Sequence, residues 1–310
     1  MLKITNRILK AEAERRGWLV RVIDECNGFL EYTLPNGKKF VFQSSLTPFI
    51  PATTLRIADN KKVLYELANE YGVRVPETKE ILEPNDIISM LERYKKLVIK
   101  PIDGAHGNGV VTDIKSKEEA QRAIVIAKGF SDRILVQQQV SGRDLRLLFI
   151  NYELAAACIR KPAFVIGNGE KSVSQLIDAA NNSGKRAENY MKSLNLIDKE
   201  SALRFLGDKK DYIPQLQEEV IVVGTANIGT GGEAIDITNS VPVELIASGQ
   251  KIMRLLNMPL GAVDFMGEGA EYYLLEINAV PSFGLHLYPS SGESQPVDKH
   301  FFNWVESEAK

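Results

Sequence analysis

Two carboxylates and an amide, Asp264, Glu276 and Asn278, have the types and the spacing to hold a divalent cation. Glu276 and Asn278 stand two apart in YYLLEINAVPSFG, residues 272–284, and residues two apart on a strand share a face. Taken alone, that alternation reads as a half-buried strand with a solvent side. The stretch before it changes the reading. GAVDFM at 261–266, followed by GEGAE, marks the first strand and turn of a β-hairpin. A turn centred on Ala270 sets Asp264 across from Glu276. Carboxylates crowded on one sheet face repel each other, so a cation is the natural third party. Mg²⁺ takes oxygen ligands and shares them with nucleotide phosphates, so a Mg²⁺–nucleotide site is the expectation.

Cationic side chains supply the counterpart. Lys100 ends a short apolar run and opens PIDGAHGNGV, residues 101–110. Three glycines within six residues, Gly104, Gly107 and Gly109, let backbone amides approach phosphate oxygens. The loop is neither a P-loop nor the dinucleotide fingerprint. Lys61 and Lys62 fall in the first turn of a helix, the wrong end for cations, so they are either a solvated pair or contacts to an anion. Asp144, Arg146 and Arg160 share one face of a second hairpin if its turn, 151–153, has three residues. They read equally as a structural ion pair with a spare arginine, or as a ribose acceptor with phosphate clamps. Lys185, Arg186 and His286 read as surface residues, with contacts to an acceptor as the alternative.

The elements that position these groups follow in order. A helix over 4–16, a strand over 18–24 and a hairpin around Pro35-Asn36-Gly37 make a short lead-in. Helices span 59–71, capped by Asp59 or Asn60, and 85–94. Strands are expected at 97–100, 110–114 and 134–140, with a helix at 117–127 between the last two. The hairpin of 143–150 and 154–160 comes next. Residues 161–219 read as a polar, helix-rich insertion with a helix over 172–180. A strand at 220–223, a small-residue turn at 226–233 and a strand at 234–238 lead to a long helix, 243–256. The metal hairpin and a C-terminal amphipathic helix complete the chain.

The 310 residues suffice for two or three packed subdomains. A net charge of −2 removes the global electrostatic case for nucleic acid or an anionic membrane. Cys26 and Cys158 make no disulfide framework or metal spacing and read as small core residues of a reducing compartment. The opening segment is amphipathic rather than a signal peptide, and no apolar run spans a bilayer, so the cytoplasm is the expected location.

Taken in order, Lys61, Lys100 with DGAHGNG, VQQQV followed by GRDLR, Arg160, Asp264 and Glu276-x-Asn278 resemble the ATP-grasp superfamily. More narrowly, KPIDGAHGNGV, VSGRDLRLL, RKPAFVIGNGEKSVSQLI, NIGTGGEAIDITN, GAVDF and LLEINAVPSFGLH resemble the ATP-grasp domain of cyanophycin synthetase and the glutathione-synthetase-like half of bifunctional glutamate–cysteine ligase/glutathione synthetase. The likeness runs from about residue 57 to about residue 289. It implies an α/β (α+β) ATP-grasp fold: two subdomains, 58–136 and 137–310, gripping ATP behind a short α/β region, 1–57. Lys61 and Lys100 then contact phosphates, and the loop with Gly104, His106, Gly107 and Gly109 closes over them. Gln137, Gln138 and Val140 line the adenine, and Asp144 takes the ribose. Arg146 and Arg160 are the catalytic residues at the γ-phosphate, and Asp264, Glu276 and Asn278 hold Mg²⁺ or Mn²⁺. Arg186, Ser282, Gly284 and His286 face the substrates.

The implied reaction is ATP-dependent carboxylate–amine ligation through an acyl phosphate, on an amino acid or small peptide. The alternatives are phosphotransfer to a hydroxyl and a nucleotide-binding regulatory module. Gln137 and Gln138 depart from the glutamates usual in the family, and Val223 and Gly224 from its arginines. Partners are small molecules, with a homodimer as the base-rate oligomer.

Overall fold

ITNRILKAEAER places apolar residues at helical spacing and forms the helix Ile4–Arg15, with Ile8, Leu9 and Ala13 buried. The computed structural model describes residues 2–102, 109–188 and 194–310. They divide into two units, Met1–Phe49 with Asp144–Pro242 and Val280–Lys310, and Ile50–Arg143 with Val243–Ala279.

In the first unit, strands Leu19–Asp24, Phe29–Thr33 and Lys39–Gln43 form an antiparallel three-stranded sheet. Aromatic rings fill the space between it and the helix Val297–Glu308. Trp18 meets Phe302 edge-on at 5.0 Å, Phe42 meets Phe301 at 5.9 Å, and Phe283 packs on Phe301 at 5.5 Å. Strand Glu153–Lys161 lies between Arg143–Ile150 and Glu233–Asp236, antiparallel to both. The inserted segment packs Val165, Val173, Ile177, Ile197 and Ala202 around a core that Val222, just after it, completes. Its helix, Val173–Asn182, starts at a capping box of Ser172 and Gln175.

The second unit holds a four-stranded antiparallel sheet in the order Thr78–Glu80, Ile134–Gln138, Leu97–Pro101, Val111–Ile114. Helices Pro84–Arg93 and Lys117–Lys128 cover one face, burying Ile87, Met90, Ala120 and Ala123 against Leu97, Ile99 and Val136. Alternation therefore puts Val98, Lys100, Leu135 and Gln137 on the other face, with Lys100 opposite Leu135 and Val98 opposite Gln137. The helix expected over 59–71 is Lys61–Glu70, and Asn60 is its cap, accepting from the Val63 N–H. A preceding helix, Ala52–Asp59, was not anticipated. Two β-branched threonines hide it in the sequence, and the Thr54 hydroxyl ties it down by donating to the Leu256 carbonyl at 2.6 Å.

Both hairpins differ from expectation in one respect. Each has a two-residue turn and one extra residue further along. At Leu260–Glu268 and Glu271–Asn278 the turn is Gly269-Ala270, a register that alone would set Asp264 against Leu275. Leu275 instead bulges out, so Phe265 pairs with Leu274 and Asp264 with Glu276. In the other hairpin Asn151 and Tyr152 both have positive φ, 52° and 64°, as a tight hairpin turn requires. Ala155 is the extra residue, so Leu148 pairs with Ala156 and Asp144 with Arg160. The expected three-residue turn is thus corrected, while the pairing it implied is present.

Candidate functional site

Within the second unit, the hairpin brings Asp264, Glu276 and Asn278 together. Asp264 is 1% exposed, and the other two are half-buried. The Asn278 amide spans both carboxylates, donating to Asp264 Oδ2 at 3.2 Å and Glu276 Oε1 at 3.4 Å. An amide carries an oxygen as well as the nitrogen, so turning it over would present three oxygens to one point. That donor set fits a hard divalent cation. Among the described residues no cluster of three His, Cys, Asp or Glu side chains forms a metal group. This site is two carboxylates and an amide.

Lys100 is buried on the open face of the sheet. Its ammonium donates to Gln137 Oε1 at 2.8 Å and to the Tyr65 hydroxyl at 3.0 Å, and lies 5.2 Å from the centre of the Tyr65 ring. Burial pulls its pKa down to about 8, with the Glu276 carboxylate pulling the other way. Burial likewise lowers Lys61, helped by the Lys100 charge and opposed by Glu276. These two cations and Glu276 therefore lie within electrostatic reach of one another. Lys62 separates from its neighbour: it meets Glu80 at 3.0 Å. Glu80 also takes Arg133 at 2.7 Å, and these hydrogen bonds, Arg133 first, hold it down at about 2. Lys62 is thus a structural ion pair, whereas Lys61 feels the charges of Lys100 and Glu276.

The first unit carries the arginines. The Arg160 guanidinium donates to Asp144 Oδ1 from Nε at 2.9 Å and from NH2 at 2.7 Å. Arg146 lies two residues along the same face, opposite Cys158, and is half-buried. Two hydrogen bonds tie the loop after the acidic hairpin to the N-terminal region. The Ser45 hydroxyl donates to the Pro281 carbonyl at 2.8 Å, and the Phe283 N–H donates to Thr5 Oγ1 at 3.4 Å. Pro281 and Phe283 are buried, and Ser282 between them is half-exposed.

Residues 50–142 match the family model of YheC/D like ATP-grasp proteins. A solved bifunctional glutathione synthetase from Pasteurella multocida superposes with a TM-score of 0.70 at 20% identity, covering 99% of this chain and 44% of that one. The chain has the ATP-grasp fold. It is similar to cyanophycin synthetase of Trichormus variabilis, with 29% identity over 263 residues covering 81% of this chain and 29% of that protein. It is also similar to the glutathione biosynthesis bifunctional protein GshAB of Clostridium perfringens, 27% identical over 95% of this chain and 40% of that protein. The chain thus spans less than half the length of these relatives.

The glycine-rich loop is described at its last glycine alone. Gly104, His106 and Gly107 lie outside the described residues. Gly109 has φ +71°, and a Cβ there would come within 2.8 Å of Phe130 and 2.9 Å of Pro101. Gln138 ends its strand with its N–H donated to the Glu77 carbonyl at 2.8 Å, and Val140 follows, half-buried. The reading of Arg186 and His286 as surface residues is corrected, since both are buried. Arg186 NH1 donates to the carbonyls of Asn195 and Gly231, each at 2.8 Å, and so braces the inserted lobe. Gly284 is buried too, within the short helix Gly284–Leu287. Tyr65 escaped notice in the sequence, although it stands one helical turn after Lys61, where side chains share a face. No helix among the described residues is long and apolar enough to cross a membrane.

Proposed function

We propose that this ATP-grasp chain is an ATP-dependent carboxylate–amine ligase acting on an amino acid or small peptide. The observation that carries this is the gathering of Lys61 and Lys100 with the acidic hairpin of Asp264, Glu276 and Asn278. A buried and a half-buried lysine beside an oxygen-donor set suit a polyphosphate and its divalent cation together.

A carboxylate is a poor electrophile because its oxygen is a poor leaving group. Transfer of the γ-phosphoryl group of ATP gives an acyl phosphate and ADP. An amine then attacks the carbonyl, forming the amide and releasing phosphate. The protein's work is positioning and charge neutralisation, with no covalent nucleophile needed. Lys100 and Lys61 hold phosphate oxygens. Asp264, Glu276 and Asn278 would hold Mg²⁺, which would supply charge neutralisation for phosphate oxygens. Asp144 fixes the Arg160 fork, and Arg160 with Arg146 on the same sheet face is suited to neutralise phosphoryl charge. Ser282 faces the substrates from a loop anchored on both sides.

The test is an ADP-release screen over pairs of amino acids and dipeptides with Mg²⁺. Release should require a carboxylate and an amine together, and hydroxylamine in place of the amine should give a hydroxamate. ADP formation with a phosphorylated hydroxyl product and no amine requirement would overturn the reading.

A further inference from the structure

Lys100 is held by two neutral acceptors, and each is locked in the accepting orientation by a third group. The Tyr65 hydroxyl has one proton, and it is donated to the Leu275 carbonyl at 2.7 Å. Only lone pairs remain to face the Lys100 ammonium, 3.0 Å away. Gln137 presents the harder problem. Its side-chain amide has an oxygen at one end and an NH₂ group at the other, nearly identical in shape. It is buried, at 3% exposure, so solvent does not choose between the ends. With the NH₂ group toward Lys100, donor would face donor.

Thr78, directly across the strand pair from Gln137, makes the choice. Its hydroxyl proton goes to the Pro76 carbonyl at 2.8 Å. Its oxygen can then only accept, and it accepts from Gln137 Nε2 at 2.8 Å. The amide must therefore turn its oxygen to Lys100, at 2.8 Å. We infer that Thr78 is a positioning residue for nucleotide binding: through the Pro76–Thr78–Gln137 chain it fixes the Gln137 amide, and thereby aims the Lys100 ammonium at the nucleotide. The inference rests on the reading of Lys100 as a phosphate contact. A carboxylate at position 137 would offer two equivalent oxygens and need no such orientation.

That asymmetry supplies the test. Binding of Mg²⁺ with a non-hydrolysable ATP analogue is measured by calorimetry for five proteins: the unsubstituted chain, Thr78→Val, Thr78→Ser, Gln137→Glu, and the double variant Thr78→Val with Gln137→Glu. Thr78→Val should weaken binding about tenfold, the usual scale for a hydrogen bond to a charged group. Thr78→Ser, which keeps the hydroxyl, should restore binding to within about twofold of the unsubstituted chain. In the Gln137→Glu background, Thr78→Val should produce no further loss. Thr78 lines a cavity of about 550 Å³, which leaves room for the substituted side chain, and Thr78→Ala gives the same comparison should Thr78→Val fail to fold. An equal loss in both backgrounds marks a merely structural role and overturns the inference, as does no loss in either. Failure of the unsubstituted chain to bind the analogue removes the nucleotide reading, and this inference with it.

Discussion

Lys100 is the place to test the electrostatics of the site without knowing the acceptor. Replacing it by methionine removes a charge that the fold tolerates poorly. The folded pKa of about 8 lies below the ordinary 10.5, a gap equivalent to about 3 kcal/mol of stability lost to the charged form. The methionine also forfeits the bonds to Tyr65 and Gln137, at about 1–2 kcal/mol. At pH 7 the nucleotide-free Lys100→Met protein should therefore be the more stable, by about 1–2 kcal/mol. The pH dependence is the sharper measurement, because the lost bonds and shared titrations largely cancel in it. A lysine with a depressed pKa is protonated more readily unfolded than folded. Its penalty is complete below about pH 8 and fades as pH rises toward 10.5. The advantage of Lys100→Met should accordingly shrink by about 1.3 kcal/mol between pH 7 and pH 9. Urea unfolding of both proteins at the two pH values reads this directly. A gap that stays constant, or widens with pH, refutes the buried-cation reasoning.

Glu276→Gln keeps the shape of the acidic hairpin and removes one of its charges. Turnover in an ADP-release assay should fall about 10²- to 10³-fold, with a raised Mg²⁺ requirement, and unchanged turnover would dismiss the cation site. Gly142 has φ +129°, and a Cβ there would lie 2.3 Å from the Gly267 carbonyl oxygen. Gly142→Ala should cost at least about 2 kcal/mol in chemical denaturation, and a smaller loss would show that the two segments can separate. Phe301, fully buried among Phe42, Phe283, Phe302 and Trp304, should cost about 3–5 kcal/mol when changed to alanine, by the same measurement.

The acidic hairpin was legible because alternation and a glycine turn are local signals, and both survive in Asp264, Glu276 and Asn278. The lysine and arginine positions were legible as charges in a recognisable order. What each charge meets was not. Lys61 and Lys62 are adjacent and chemically equal in the sequence, yet Lys62 pairs with Glu80 while Lys61 feels the charges of Lys100 and Glu276, since helical rotation sends neighbours apart. Arg186 and His286 looked solvent-facing by residue type, and tertiary packing overrode that tendency. Tyr65 and Thr78 carry no motif. Their roles arise from where a single hydroxyl proton goes, which only three-dimensional partners decide. The helix Ala52–Asp59 stayed hidden because its anchor, the Leu256 carbonyl, lies some two hundred residues away.

The extra residue Leu275 leads to an expectation about inheritance. Removing it would leave Asp264 opposite Glu276, because the shortened strand would simply continue in register from the pairing of Phe265 with Leu274. What would vanish is the carbonyl that takes the Tyr65 proton. Relatives lacking a residue here should therefore be aligned with the gap at 275 and not at the Gly269-Ala270 tip. In them the position of Tyr65 should vary as well, since the tyrosine and the bulge serve one hydrogen bond and have reason to be kept or lost together.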